Sequence, residues 1–219
     1  MPPLLNPAPP WQPDRSEFAI LWHGCTAFDK NAIEKHGIDL RCCAVDTDFG
    51  RGFYTTTLQR QAQQWAWNRF YRQKANPQRT GNQPVILRFR VRRYSLVKAK
   101  SVLDRGLAKL KNLAFVIPDY MNDDFWSLVQ HCRRSVPEDK SRGIKEVVHN
   151  HKKPPSGWYE LVSGPVAAFW EQRIAMDDGD QFSFHESGVR LLNALIKKGK
   201  GKGASKTGDP DYYQWFPVV

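Results

Sequence analysis

The sequence predicts an α+β fold organised around a single core, and three observations carry that expectation. The chain has 219 residues, enough to bury one sizeable core and too few for two comfortable ones. It is 41% hydrophobic, 12% aromatic and 25% charged, the balance of a globular chain rather than a disordered or fibrous one. Short β-prone runs alternate with segments whose apolar residues recur at helical spacing.

The elements follow in chain order. Residues 1–16 form a proline-rich arm, expected to be extended, with neither the basic start nor the apolar stretch of a secretory signal. Phe18–Trp22 is an apolar run suited to a buried strand that stops at His23–Gly24. A helix follows on which Phe28, Ala32 and Ile33 share a face and Gly37 supplies the stop. A Gly/Asp loop, Asp46–Gly52, leads into the β-prone Phe53–Thr56. Thr57 is placed to cap a second helix, where Leu58, Ala62, Trp65, Ala66 and Phe70 repeat while Gln59, Arg60, Gln63 and Gln64 face outward. After a loop at Asn76–Pro84, the run Val85–Arg92 alternates, with Val85, Leu87, Phe89 and Val91 inward and Arg88, Arg90 and Arg92 outward.

The second half is less regular. Asn122 begins a helix expected to run to Cys132, and residues 135–155 read as a polar insertion. Trp158–Val162 is a strand ending at Ser163–Gly164–Pro165, and Gln181–His185 is another. Ser187 caps a last helix with Val189, Leu192, Leu195 and Ile196 on one face. One domain over residues 17–196 results, followed at 197–219 by a Gly/Lys-rich segment and an aromatic tail, Tyr212–Phe216, expected to dock back onto the fold.

Several function classes are excluded at this stage. No stretch approaches the roughly 20 apolar residues of a membrane helix. The four cysteines offer no C-x-x-C pair, so a reducing, cytoplasmic setting is expected. His149 and His151 lack a third ligand at useful spacing, and no metal is expected. The net charge of +11 is concentrated: residues 88–111 carry nine basic side chains against one acidic, and residues 190–206 carry six against none. Clustered Lys and Arg suit a polyanion, so Arg88, Arg90, Arg92, Lys197, Lys198 and Lys200 are the candidate nucleic-acid contacts.

Four motifs stand in order along the chain: Trp22–His23–Gly24; Asp48–Phe49–Gly50–Arg51–Gly52–Phe53–Tyr54–Thr55–Thr56 followed by Gln61, Ala62, Trp65 and Ala66; Gly164–Pro165–Val166–Ala167; and Gln181 to His185 before the last helix. In this order they resemble the ADP-ribosyltransferase superfamily, and most closely its bacterial ADP-ribosyltransferase-like domains. The resemblance spans about residues 22–192 and misses mainly at 111–155.

It implies a split β-sheet core flanked by helices, NAD⁺ as co-substrate, no metal, and transfer of ADP-ribose to a macromolecule. His23, Tyr54 and Gln181 take the catalytic positions, with His23 on a ribose hydroxyl and Tyr54 stacked on the nicotinamide ring. Gly24 offers its peptide group to the nicotinamide amide, and Gly52, Thr26 and Thr56 line the same cleft. Gln181 stands where many members carry Glu; it keeps a hydrogen bond and lacks the charge that stabilises an oxocarbenium, with Glu171 and Glu186 as nearby carboxylates. The charge clusters favour nucleic acid over protein as acceptor. An NAD glycohydrolase, or a binding module without catalysis, is the alternative, and the Arg/His set of an RNA 2′-phosphotransferase is not found.

Overall fold

The computed structural model describes residues 18–44, 47–74, 76, 82–92, 96, 114–116, 129, 133, 161–169, 174–185, 188–199 and 211–218. These residues form seven strands and three helices in a mixed α+β arrangement of two small sheets. Of the expected helix at 122–132 only Val129 is described, and it is helical and buried; the N-terminal arm, the insertion at 135–155, the cap at Ser187 and most of the Gly/Lys-rich segment lie outside the described residues.

The first sheet has the order β1-β3-β7, with β1 Phe18–Thr26, β3 Pro84–Arg92 and β7 Tyr212–Pro217, all antiparallel. The alternation in Val85–Arg92 holds: Val85, Leu87, Phe89 and Val91 are buried on one face. Ile86, on the other face, is buried too, because helix α2, Gln59–Gln73, covers that side. Continued pairing with β3 carries β1 through His23 and Gly24 to Thr26, past the end that the apolar run predicts. The aromatic tail is the edge strand of this sheet, so the domain does not end at residue 196.

The second sheet has the order β2-β6-β5-β4, with β2 Phe53–Thr55, β6 Ile174–Phe184, β5 Leu161–Phe169 and β4 Ala114–Val116. β5 begins where the sequence places a strand's end: Ser163, Gly164 and Pro165 are paired with Phe182, Gln181 and Asp180. The apolar faces of the two sheets meet in one core, joined by Val189, Leu191, Leu192, Leu195 and Ile196 of helix α3, Gly188–Gly199. Each large side chain buried there contributes about 1.5–3 kcal/mol.

Helix α1, Ala27–His36, begins at Thr26, whose hydroxyl accepts from the Asp29 N–H, and ends at Gly37 (φ 84°), whose N–H reaches the Ile33 carbonyl at 2.7 Å. Positive φ is what the glycine supplies. Of the face expected to be buried, Phe28 and Ala32 are exposed while Ile33 packs on the core, because the helix is rotated to turn Ala27 inward with it. Thr57 does not cap α2; its N–H and hydroxyl go to Asp180, and Thr56 accepts the Leu58 N–H at 3.0 Å.

Candidate functional site

The two sheets touch along the edges of β1 and β2. Trp22 and Thr56 exchange both main-chain bonds, Trp22 N–H to Thr56 C=O at 2.7 Å and the reverse at 2.8 Å. One residue on, main-chain pairing gives way to a side chain. The His23 imidazole wedges between the strands, its Nδ1 2.6 Å from the Tyr54 carbonyl and its ring stacked on Phe53 with centroids 4.1 Å apart. A carbonyl only accepts, so Nδ1 carries the proton and Nε2 is left as an acceptor. Burial pulls the His23 pKa down to about 4 against the pull of that hydrogen bond, so the ring is neutral at pH 7.

Past the wedge lies Gly24. Hydrogen-bonded and open pairs alternate along an antiparallel ladder. Trp22 spends its main-chain groups on Thr56, while Ala27 donates to the Gln83 carbonyl on the β3 side at 2.8 Å. This alternation turns the Gly24 N–H and C=O away from β3, toward Tyr54. The absence of a side chain has a packing cause: a Cβ at Gly24 would lie 2.0 Å from the Ala62 carbonyl oxygen and 2.6 Å from the Ala66 nitrogen. α2 is pressed directly onto this strand.

Tyr54 is half-buried and pinned at its hydroxyl, which accepts from the Phe49 N–H at 2.8 Å and donates to the Gly50 carbonyl at 2.9 Å. Its ring lies nearly parallel to that of Phe49. On β6 it faces Ser183, and Gln181, Ser183 and His185 alternate onto this same face. Gln181 is buried, with Nε2 donating to Asp48 Oδ2 at 2.7 Å and to the Pro165 carbonyl at 2.8 Å. Asp48 also accepts from the Ala167 N–H at 2.8 Å and from Arg133 at 2.7 Å. A buried carboxylate therefore stands beside the position where the sequence shows only an amide. Glu171 and Glu186 lie outside the described residues.

Three expected cleft residues have other duties. Thr26 is fully buried as the α1 cap, its hydroxyl shared with Asp29 and Gln73. Thr56 is fully buried, bound to Gln61 and to Asp180. Gly52 is buried where a Cβ would fall 2.1 Å from Ser183 Oγ and 2.9 Å from His185 Cε1, so it serves close packing. Cys25 is buried, and burial raises its thiol well above the usual value, which removes it as a nucleophile.

Sequence reasoning missed four polar residues of this region. Asp180 ties β6 to the start of α2 through Thr56, Thr57 and Gln61, and burial raises its pKa against those hydrogen bonds. His185 donates from Nδ1 to the Arg51 carbonyl at 2.9 Å; burial takes it to a pKa of about 4, and its Nε2 has no partner among the described residues. Ser183 Oγ is similarly buried without a partner. Arg133 had no motif to mark it, and Asp180 is one of three aspartates in Asp177–Asp180, with nothing local to single it out.

The basic groups divide between the faces of the first sheet. Arg88 lies over the rings of Trp22 and Tyr212 at 5.4 and 5.3 Å, and Arg90 over Phe18 at 3.8 Å. Arg92 stands 5.9 Å over Phe18. Lys197 and Lys198 are exposed on the last turn of α3, which packs on the opposite face, and Lys200 lies outside the described residues.

A family model described as "Protein of unknown function (DUF3990)" matches residues 19–169. The chain belongs to that family. The DUF3990 match covers His23, Gly24, Asp48, Tyr54 and Ala167 and stops before β6, so Gln181 and His185 lie beyond it. Neither the comparison with curated proteins nor that with solved structures finds a match. Among the described residues no group of three His, Cys, Asp or Glu side chains is arranged to hold a metal, and no helix is long and apolar enough to cross a membrane.

Proposed function

We propose that this DUF3990 chain is an NAD⁺-dependent mono-ADP-ribosyltransferase whose two sheets form the split core of that superfamily, with nucleic acid as its acceptor. One feature carries the reading: the Trp22–Thr56 pair and the strand alternation turn the Gly24 peptide group toward β2, next to the His23 wedge and opposite Tyr54, whose hydroxyl is tethered. A carboxamide needs one acceptor and one donor side by side, which a strand's free edge supplies. The Tyr54 ring, held at its hydroxyl, offers a flat face for a pyridine ring. His23, neutral and with Nε2 as acceptor, suits a ribose hydroxyl. Breaking the nicotinamide–ribose bond builds positive charge on the sugar, and a neutral His23 adds no opposing charge.

The acceptor reading rests on Arg88, Arg90 and Arg92 interleaved with Phe18, Trp22 and Tyr212, a combination of cation and ring that suits a nucleic-acid strand. Lys197 and Lys198 are exposed on a helix packed against the opposite face of that sheet and are not part of this cation–ring cluster. Incubation with adenylate-labelled NAD⁺ and separate pools of protein, DNA and RNA tests the whole reading; label on nucleic acid is the expected outcome. His23→Ala and Tyr54→Ala should each weaken NAD⁺ binding at least tenfold by calorimetry with the fold intact. Full affinity in both variants would move the site elsewhere. Nicotinamide release without any labelled acceptor would instead mark a glycohydrolase.

A further inference from the structure

The surroundings of Gln181 dictate its chemistry. An amide nitrogen has two hydrogens, and here Asp48 Oδ2 and the Pro165 carbonyl take both, at 2.7 and 2.8 Å. Neither partner can donate in return. Pro165 offers a main-chain carbonyl, and Asp48 already receives the Ala167 N–H on Oδ2 and the Arg133 Nε and Nη2 groups on Oδ1, at 3.1 and 2.7 Å. Two acceptors converging on one atom fix which end of the amide is nitrogen. Both side-chain hydrogen bonds of Gln181 among the described residues run from Nε2, which leaves Oε1 without one. A carboxylate at this position would set two negative groups together and face a carbonyl with no donor at all.

We propose that Gln181 is a built-in neutral acceptor, that Asp48 is its positioning residue, and that Oε1 takes a ligand group that donates a hydrogen bond, a sugar hydroxyl rather than an anionic oxygen. Assigning that hydroxyl to the nicotinamide ribose rests on the NAD⁺ reading above. On this account the amide is no weakened remnant of a glutamate. β5 and Asp48 require a donor at position 181, and the ligand meets what is left over.

Among the described residues the charged and titratable groups around position 181 are Asp48 and Arg133, with Tyr54 and His185 farther along the same face and Asp180 on the opposite one. A Gln181→Glu variant shares all of them with the wild type, so their difference isolates the introduced carboxyl. In the unfolded chain that carboxyl loses its proton near pH 4.3. Beside Asp48 it should hold the proton at least one unit higher, a tenfold shift in its ionisation ratio. The folded state then binds more protons than the unfolded one, so stability relative to wild type falls as pH rises. The denaturant midpoint of Gln181→Glu should match wild type best at pH 5 and drop progressively toward pH 8, and adding Asp48→Asn should flatten most of that slope. Curves parallel to wild type over this range overturn the proposal.

Should Gln181→Glu not fold, the wild-type protein still decides. The Gln181 side-chain amide should show two resolved proton signals by NMR, with exchange slowed at least tenfold, and Asp48→Ala should remove that protection. Free exchange in the wild type overturns the proposal. Calorimetry supplies the ligand arm: NAD⁺ lacking the 2′-hydroxyl of the nicotinamide ribose should bind about tenfold more weakly, a difference Gln181→Ala should erase. Equal binding of both dinucleotides to wild type overturns the hydroxyl assignment. Failure of NAD⁺ itself to bind removes the functional reading, while the exchange and pH measurements still judge the amide.

Discussion

The two sheets share one apolar core and treat polar groups in opposite ways. On the β1-β3-β7 sheet the charged side chains sit at the margin, with Arg88 and Arg90 laid across aromatic rings and Arg92 exposed. On the β2-β6-β5 sheet the polar groups are inside: Gln181, Ser183, His185 and Asp48 are all buried. The first arrangement costs less, because the guanidinium groups keep a share of solvent while their stems cover apolar surface, although Arg88 Nε is buried without a partner among the described residues. The second must satisfy each polar atom or lose stability, and Ser183 Oγ and His185 Nε2 are left without partners among the described residues. The polar interior is the expensive half of this fold, and the proposed site is built on it.

The two close-packed glycines sharpen this contrast most. Gly24 meets the main chain of α2, which cannot step aside, so Gly24→Ala should cost about 3 kcal/mol or more. Gly52 meets side chains, Ser183 Oγ foremost, so Gly52→Ala should cost less and be partly relieved by adding Ser183→Ala. Urea denaturation of the three variants checks the ranking, and equal losses at both glycines would break it.

Removing Asp48 comes next. Asp48→Ala strips partners from Gln181 and the Ala167 N–H inside the protein, while Arg133 keeps some access to water. A loss of about 2–4 kcal/mol is expected. Arg88→Gln on the other sheet should cost about 1 kcal/mol, because the half-buried guanidinium covers the Trp22 and Tyr212 rings.

The histidines give a smaller, pH-dependent effect. His23 and His185 fold as neutral rings with pKa values of about 4, against 6.5 when unfolded. Between those values the unfolded chain binds more protons, so stability is full above pH 6.5 and falls as pH drops toward 4. His185→Gln should shallow that fall, as seen in thermal midpoints at pH 7 and pH 5. The smallest signal comes from neutralising Arg88, Arg90 and Arg92 together. Its readout is nucleic-acid binding, where each lost phosphate contact should lower the log–log salt slope by roughly 0.7–0.9. A slope that does not change would return these arginines to a purely structural role.

What the sequence made legible tracks how local the cause is. The alternation in Val85–Arg92 and the Gly37 stop depend on neighbours a few residues away, and both stand in the structure. The end of β1 at Thr26, the run of β5 through Gly164–Pro165 and the outward turn of Phe28 depend on partners far along the chain. At the site, His23, Gly24, Tyr54 and Gln181 were readable as a spaced set. Thr26 and Thr56 were not separable from them, because a cap and a ligand contact use the same hydroxyl. The setting of Gln181 was hidden for a similar reason: the pairing of β5 with β6 brings Pro165 to it, and Asp48 arrives from the distant loop before β2, tied also to the Ala167 N–H.

The strand order β1-β3-β7 draws on residues 18–26, 84–92 and 212–217, which has a consequence in time. During synthesis β1 and β3 can pair while β7 has yet to emerge, and for more than a hundred residues of elongation the outer rim of β3 stands open. Such a rim invites a second chain. The main-chain groups waiting there belong to the register of Ile86, Arg88 and Arg90, which later receive Phe216, Gln214 and Tyr212. Two of those three positions carry a fixed positive charge, so a second nascent copy approaching edge to edge would align like charges. The arginines thus keep the place of β7 free until it arrives.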